Sequence, residues 1–207
     1  MLSRLSNQLA FRIDRKTTGE EGISRFNPFV SELSDTSLIS SNSSLRNTVF
    51  INRSYSKFGV DYTYGQNRGK QLLTNGFDSR NSTLHEVKAR YNISRIFGVV
   101  VRGERGNRTN LSDFLDGRNF DIEYNEIEPS VSYQPNTSFR GTLKFRYTEK
   151  DNDADLGGEK AILQDIGVEL RYNQVSKGSF LANVNMVNIR YTGTGNSSLT
   201  YEMLAGL

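Results

Sequence analysis

Polar and apolar residues alternate one for one along much of this chain, and that pattern limits its fold more than any other feature. "FGVDYTYG" puts Phe58, Val60, Tyr62 and Tyr64 on one side and Gly59, Asp61 and Thr63 on the other. "HEVKARYNI" sets His85, Val87, Ala89, Tyr91 and Ile93 against Glu86, Lys88, Arg90 and Asn92. "FRGTLKFRY" and "IGVELRY" repeat it, with Leu143 and Phe145 opposite Lys144 and Arg146, and Val168 and Leu170 opposite Glu169 and Arg171. Side chains alternate across a strand, so period two means a strand with one apolar face. Glycine and β-branched residues break up any helical stripe. Single helical turns are compatible only with "SDFLDG" and "NPFVSEL".

A longer period lies over the short one. Tyr55…Phe58, Tyr91…Phe97, Tyr133…Phe139 and Tyr172…Phe180 each enclose a few polar turn residues, and the tyrosines recur at roughly forty residues. Each repeat reads as a hairpin with its tight turn at the Tyr…Phe element. The connections between hairpins read as long, covering 17–44, 65–83, 105–118, 149–160 and 192–198. Strict alternation of short and long connections is the rule of an outer-membrane-type barrel. The sequence therefore predicts an all-β, antiparallel up-and-down meander of about ten strands, forming a single barrel region over 1–207 with a long surface loop at 16–45. The rings of Tyr55, Phe58, Tyr91, Phe97, Tyr133, Phe139, Tyr172 and Phe180 would form one girdle at a membrane interface. A mixed-charge set would line the lumen: Glu86, Lys88, Arg90, Arg102, Glu104, Asp121, Glu123, Arg140, Lys144, Arg146, Glu169 and Arg171.

Composition fits this reading. Only 35% of residues are hydrophobic, yet 11% are aromatic, too many for a disordered chain. A mean hydropathy of −0.57 is compatible with a barrel, where half of each strand faces a polar lumen. No apolar run reaches the 18 residues of a membrane helix. "MLSRLSNQLAFRIDRK" lacks the apolar core of a signal peptide. That start, and the ending "SSLTYEMLAGL", lead us to expect a fragment cut at both ends, with Ser198–Leu204 an edge strand beside "NVNMVNIRY".

"RFNPFVSELSDTSLISSNSSLRNTVFINRSYSKFGVDYTY", "KQLLTNGFDSR", "GRNFDIEYNEIEPSVSYQPNTSFRG" and "LTYEMLAGL" resemble the membrane-barrel region of large Bacteroidota outer-membrane or cell-surface proteins. The resemblance covers nearly the whole chain from about residue 25. It implies an outer-membrane location and further strands of the same barrel as partners, and names no reaction.

Catalytic and metal chemistry have little footing. Asp151, Asp153 and Asp155 start like a calcium loop, but Leu156 and Ile162 stand where an EF-hand needs Gly and Glu. With no Cys and a single histidine, His85, neither a zinc site nor a Ser-His-Asp triad is expected, and His85 reads as structural or interfacial. Asp121/Glu123 and Glu126/Glu128 are same-face carboxylate pairs that could do acid–base work, but Arg102, Arg140 and Lys144 offer ordinary partners. The change of phase between Tyr124 and Ile127 suggests a bulge. A net charge of +3, with no basic run, gives no nucleic-acid signature. No cofactor, enzyme activity or small-molecule substrate is expected. The leading expectation is part of a bacterial outer-membrane barrel serving as pore, translocation conduit or surface anchor, with membrane lipid as partner. The alternative is a soluble extended hairpin sheet used as a binding surface.

Overall fold

In the computed structural model, residues 4–18, 38–55, 57–174, 178–193 and 196–206 are described, the last of these and Ala154 by backbone only. The strands are β1 (Leu5–Thr17), β2 (Leu38–Ile51), β3 (Phe58–Leu73), β4 (Gly76–Asn92), β5 (Phe97–Ser112), β6 (Phe120–Tyr133), β7 (Phe139–Asn152), β8 (Lys160–Gln174), β9 (Gly178–Gly193) and β10 (Asn196–Gly206). They form one sheet in chain order through nine antiparallel pairings. Short 3-10 turns at Asp116–Arg118 and Ala154–Leu156 are the helical elements among the described residues. The expected meander is therefore observed, as an open sheet. Among the described pairings β1 bonds only to β2, and β10 only to β9, with Leu199 opposite Arg190 and Leu204 opposite Asn185.

The four Tyr…Phe turns join β2 to β3, β4 to β5, β6 to β7 and β8 to β9, so all lie at one rim, called here the near rim. Two of them share one device. The Phe97 N–H donates to the Ser94 hydroxyl at 3.1 Å, and the Phe139 N–H to the Asn136 side-chain carbonyl at 2.8 Å. In both, a short polar side chain three residues ahead caps the returning strand, the ordinary chemistry of Ser and Asn in turns.

The long connections of the opposite, far rim differ from expectation. Residues 65–73 belong to β3 and 76–83 to β4, and only Thr74 and Asn75 lie between. Gly76 takes φ +126°, which a side chain would strain. Residues 105–112 complete β5, and 192–193 and 196–198 belong to β9 and β10. Of the loop expected at 16–45, the stretch from Leu38 is strand β2, while 19–37 lies outside the described residues. "NPFVSEL" also falls outside them. Loop lengths thus do not alternate without exception. The strands instead run 13 to 17 residues in β1 to β9, longer than the ~10 that cross a bilayer. The far halves of β3, β4 and β5 are mostly polar on both faces, so hydropathy made them look like loops.

Candidate functional site

Residues directly opposite in an antiparallel ladder share a face. The registers put Val60 opposite Ala89, Tyr62 opposite Val87, Leu143 opposite Val168 and Gly141 opposite Leu170. Val60, Tyr62, Val87, Ala89, Leu143, Phe145, Val168 and Leu170, which alternation puts on the apolar sides of their strands, do share one face. With them run Ile51, Val49, Val99, Val101, Val131, Ile127, Ile166, Val184 and Met186. Leu143 keeps 52% of its surface exposed and Val184 46%, and no layer covers them among the described residues. The largest buried strand residues lie on the other face. Thr48, Thr63, Asn110, Tyr124 and Thr148 are buried there, with Leu38 at the start of β2 the exception. Buried polar groups and a wide exposed apolar patch are the informative departures from an ordinary globular pattern.

The girdle residues assemble at the near rim. Phe58 lies opposite Tyr91, Phe97 opposite Tyr133, Phe139 opposite Tyr172, and Tyr172 opposite Phe180. The Phe97 and Tyr133 rings are 4.8 Å apart, and Tyr133 meets Phe139 edge-on at 6.3 Å. Tyr55 sits in the turn before β3, exposed.

This aromatic row does not follow the hydrogen-bonding direction. Tyr91 faces Val99, so Phe97 lies two residues nearer the rim, and Tyr133 faces Gly141, with Phe139 again two residues nearer. The border where the face turns polar slips the same way. Tyr64 and His85 pair, but His85 faces Arg105, and the last position on this face of β5 before that charge is Gly103. Gly103, Ile127 and Tyr147 align, and Tyr147 then faces Gln164, so Ile166 is the last apolar residue before the border on β8. From β4 to β8 both borders slip four residues over four strands. With ~3.3 Å per residue and ~4.8 Å between strands, the band crosses the sheet about 35° off the hydrogen-bonding direction. It is seven residues tall on β3, Phe58 to Tyr64, which is about 20 Å normal to its edges.

The opposite face is polar and crowded. A cavity of about 500 Å³ reaches across it from Arg12 and Asn42 to Arg80, Arg108 and Phe120. At the depth of the apolar band it carries a belt of charge. Glu86, Glu104 and Glu126 stand side by side on β4, β5 and β6. One cation serves all three: the Arg102 guanidinium lies 2.8 Å from Glu86, 2.7 Å from Glu104 and 3.7 Å from Glu126. The Thr148 hydroxyl donates to Glu126 at 2.9 Å, and Arg146 pairs with Asp165 at 2.5 Å. Tyr124 lies across Gly106, where an added Cβ would come within 2.6 Å of its ring.

Two sequence expectations need correction here. The β5–β6 and β6–β7 registers run without a shift, so there is no bulge between Tyr124 and Ile127. Asp121 and Glu123 consequently share the face of Ile127 and Val131, not the polar face with Glu126 and Glu128. Asn107 donates to Asp121 at 2.5 Å, and Arg105 approaches Glu123 at 3.8 Å. The change of phase in the sequence is an inversion of polarity in an unbroken strand: beyond Ile127, Phe120, Ile122 and Tyr124 take the face of Glu126, and the acids take the face of Ile127. His85 lies on the apolar face at the upper border, 2.9 Å from the Tyr62 hydroxyl and 5.1 Å from the Tyr64 ring centroid. With Tyr64 and Tyr147 it marks a second border that sequence reading missed. Its signal was a Tyr or His ending the apolar runs of β3, β4 and β7, but only the register aligns those ends.

The acidic loop uses its carboxylates internally. Asp151 holds the Lys160 ammonium at 2.5 Å, and this hydrogen bond and charge raise the lysine pKa above its usual value. Asp153 accepts from the Asp155 N–H at 2.8 Å, capping the 3-10 turn. Among the described residues no group of three or more His, Asp or Glu side chains is placed to hold a metal ion. No family model matches the chain, and no curated protein or solved structure shows significant similarity to it.

Proposed function

We propose that this sheet is part of a bacterial outer-membrane β-barrel acting as pore, translocation conduit or surface anchor, like the barrel regions of large Bacteroidota surface proteins. The apolar face meets lipid, the polar face lines the lumen, and the near rim with its girdle lies on the periplasmic side. The observation that carries this is the oblique band. A bilayer is a flat apolar slab, and barrel strands cross it at a tilt of about 35–45°. An apolar band whose two borders both slip one residue per strand is what that geometry demands. Its height of roughly 20 Å compares with ~25 Å for the lipid-facing belt of such barrels. The charge belt of Arg102, Arg146 and their carboxylates pairs internally, which suits a filled or weakly selective lumen. Open backbone edges are not viable in hydrocarbon, so β1 and β10 meet further strands in the membrane. The far half of β3 to β5, mostly polar on both faces, is what favours the second reading, a sheet binding a partner in water.

The absence of cysteine makes single-cysteine labelling clean. In membranes bearing the full chain, Val168→Cys and Leu143→Cys are expected to resist a water-soluble maleimide and to be quenched by spin-labelled acyl chains. Lys144→Cys is expected to react with the maleimide. Equal labelling of both faces, with no quenching, would leave the soluble-sheet reading standing instead.

A further inference from the structure

From β1 through β5 the apolar face carries no carboxylate among its described residues. Every acid on those strands, Asp14, Asp61, Asp78, Glu86 and Glu104, has the opposite phase. Beyond the upper border the face holds Arg15, Arg68, Lys70 and Arg105. Between them stand hydroxyl and amide residues: Ser41, Ser43, Gln66, Ser79, Asn81 and Thr83. Arg15 and Lys70 both face Ser41, from either side of β2. Arg105 faces His85 at the border itself. Arg68 is within 3.0 Å of the Gln66 amide oxygen in the amide orientation that satisfies both groups, and Lys70 lies 4.5 Å over the Phe77 ring. The first acids on this face are Asp121 and Glu123 of β6, and Glu123 reaches Arg105 only at 3.8 Å.

We infer that this patch binds the phosphate-bearing headgroups of lipids in the outer leaflet. The inference rests on the membrane reading above. The cations lie one to three alternate positions past the apolar border, about 5 to 15 Å higher, where headgroups lie. They point outward, as the lipid-facing side chains below them do. Arginine and lysine beside hydroxyl and amide groups offer charge-assisted donors to a phosphate and hydrogen bonds to the polar groups around it. A lumen-facing ligand would need the opposite phase. A water-soluble anion has no use for an apolar band directly beneath its site.

The test uses the full chain in mixed micelles of dodecylmaltoside and phosphatidylcholine. Its probes are fluorescent phosphatidic acid and the diacylglycerol of the same acyl chains. Phosphatidic acid is expected to bind at least tenfold more tightly than diacylglycerol, less so at high salt. Losing a cation near an anionic leaflet weakens binding roughly fivefold. Arg68→Gln, Lys70→Gln and Arg105→Gln combined are therefore expected to bring phosphatidic acid near the diacylglycerol level. The comparison of the two lipids on the unaltered protein needs no variant to fold. Equal binding of both lipids by a protein that inserts into phosphatidylcholine vesicles overturns this inference and leaves the membrane reading intact. So does displacement of phosphatidic acid by an equal concentration of inorganic phosphate. A chain that stays in the aqueous phase overturns both.

Discussion

Arg102 is the residue on which the polar face most depends. Glu86, Glu104 and Glu126 stand directly opposite one another, an arrangement that is unfavourable for like charges. Arg102 reaches all three from the neighbouring position of β5. Arg102→Met keeps most of the stem and removes the charge. It is expected to cost about 2–4 kcal/mol in a denaturant refolding titration, because it strands partly buried carboxylates. Adding Glu104→Gln is expected to recover a good part of that loss. A single-mutant cost under about 0.5 kcal/mol, within the range of an ordinary surface change, would show that solvent already screens the cluster. Gly106 is a second such position, for steric reasons. A methyl there would meet the Tyr124 ring at 2.6 Å and the Thr83 carbonyl oxygen at 2.5 Å. Gly106→Ala is expected to cost about 1–3 kcal/mol. Tyr124→Ala on that background should recover only part of it, because the Thr83 contact is with backbone. Full recovery would mean the two strands separate freely at this point.

Along the strands, sensitivity should follow the face and then the height. Val168 lies mid-band between Leu143 and Val184, so Val168→Arg is expected to cost about 2–4 kcal/mol in a lipid refolding assay. Lys144→Gln, one pleat away on the polar face, should leave folding nearly intact. Arg68→Gln, on Val60's face but above the border, should also be nearly silent for stability. Equal costs at Val168 and Lys144 would remove the basis for two distinct faces. The same distinction of height explains what could be read from the sequence. Strands show in hydropathy only where one face is apolar, so the near halves, Phe58 to Tyr64 and Leu143 to Tyr147, were legible. The hairpin at Thr74 and Asn75 was not, because Gln66 to Leu73 and Gly76 to Thr83 are mostly polar on both faces. What keeps them extended is the unbroken ladder from Leu73 opposite Gly76 to Phe58 opposite Tyr91, a pairing that hydropathy does not record. Asp121 and Glu123 were put on the wrong face because the polarity of their strand inverts beyond Ile127, with Phe120, Ile122 and Tyr124 in the phase of Glu126. The aromatic turns were legible because Tyr, a short polar segment and Phe recur at a fixed period. The charge belt was visible as a list of ions, but Arg102 as its centre needed the register.

For the molecule as a whole, the slip of the band fixes an angle before any membrane is present. One residue per strand sets the strands about 35° from the normal of a bilayer lying along the band. Polarised infrared spectroscopy of the full chain in oriented bilayers measures that angle from amide I dichroism. The expected tilt is about 35–45°, the range of barrels that cross a membrane. The value does not depend on how many strands complete the barrel, since slip per strand and strand spacing are both local quantities. A tilt near zero would require the aromatic row to climb out of the interface, by about 13 Å between β4 and β8. It would place Tyr91 and Tyr172 at different depths and end the girdle as a structural idea. Random orientation with respect to the bilayer would show that the sheet lies on or beside the membrane and that its apolar band is covered in some other way. A tilt in the expected range, together with protection of the Val168 and Leu143 positions from aqueous reagents, would leave the oblique band no simpler cause than the flat slab it fits.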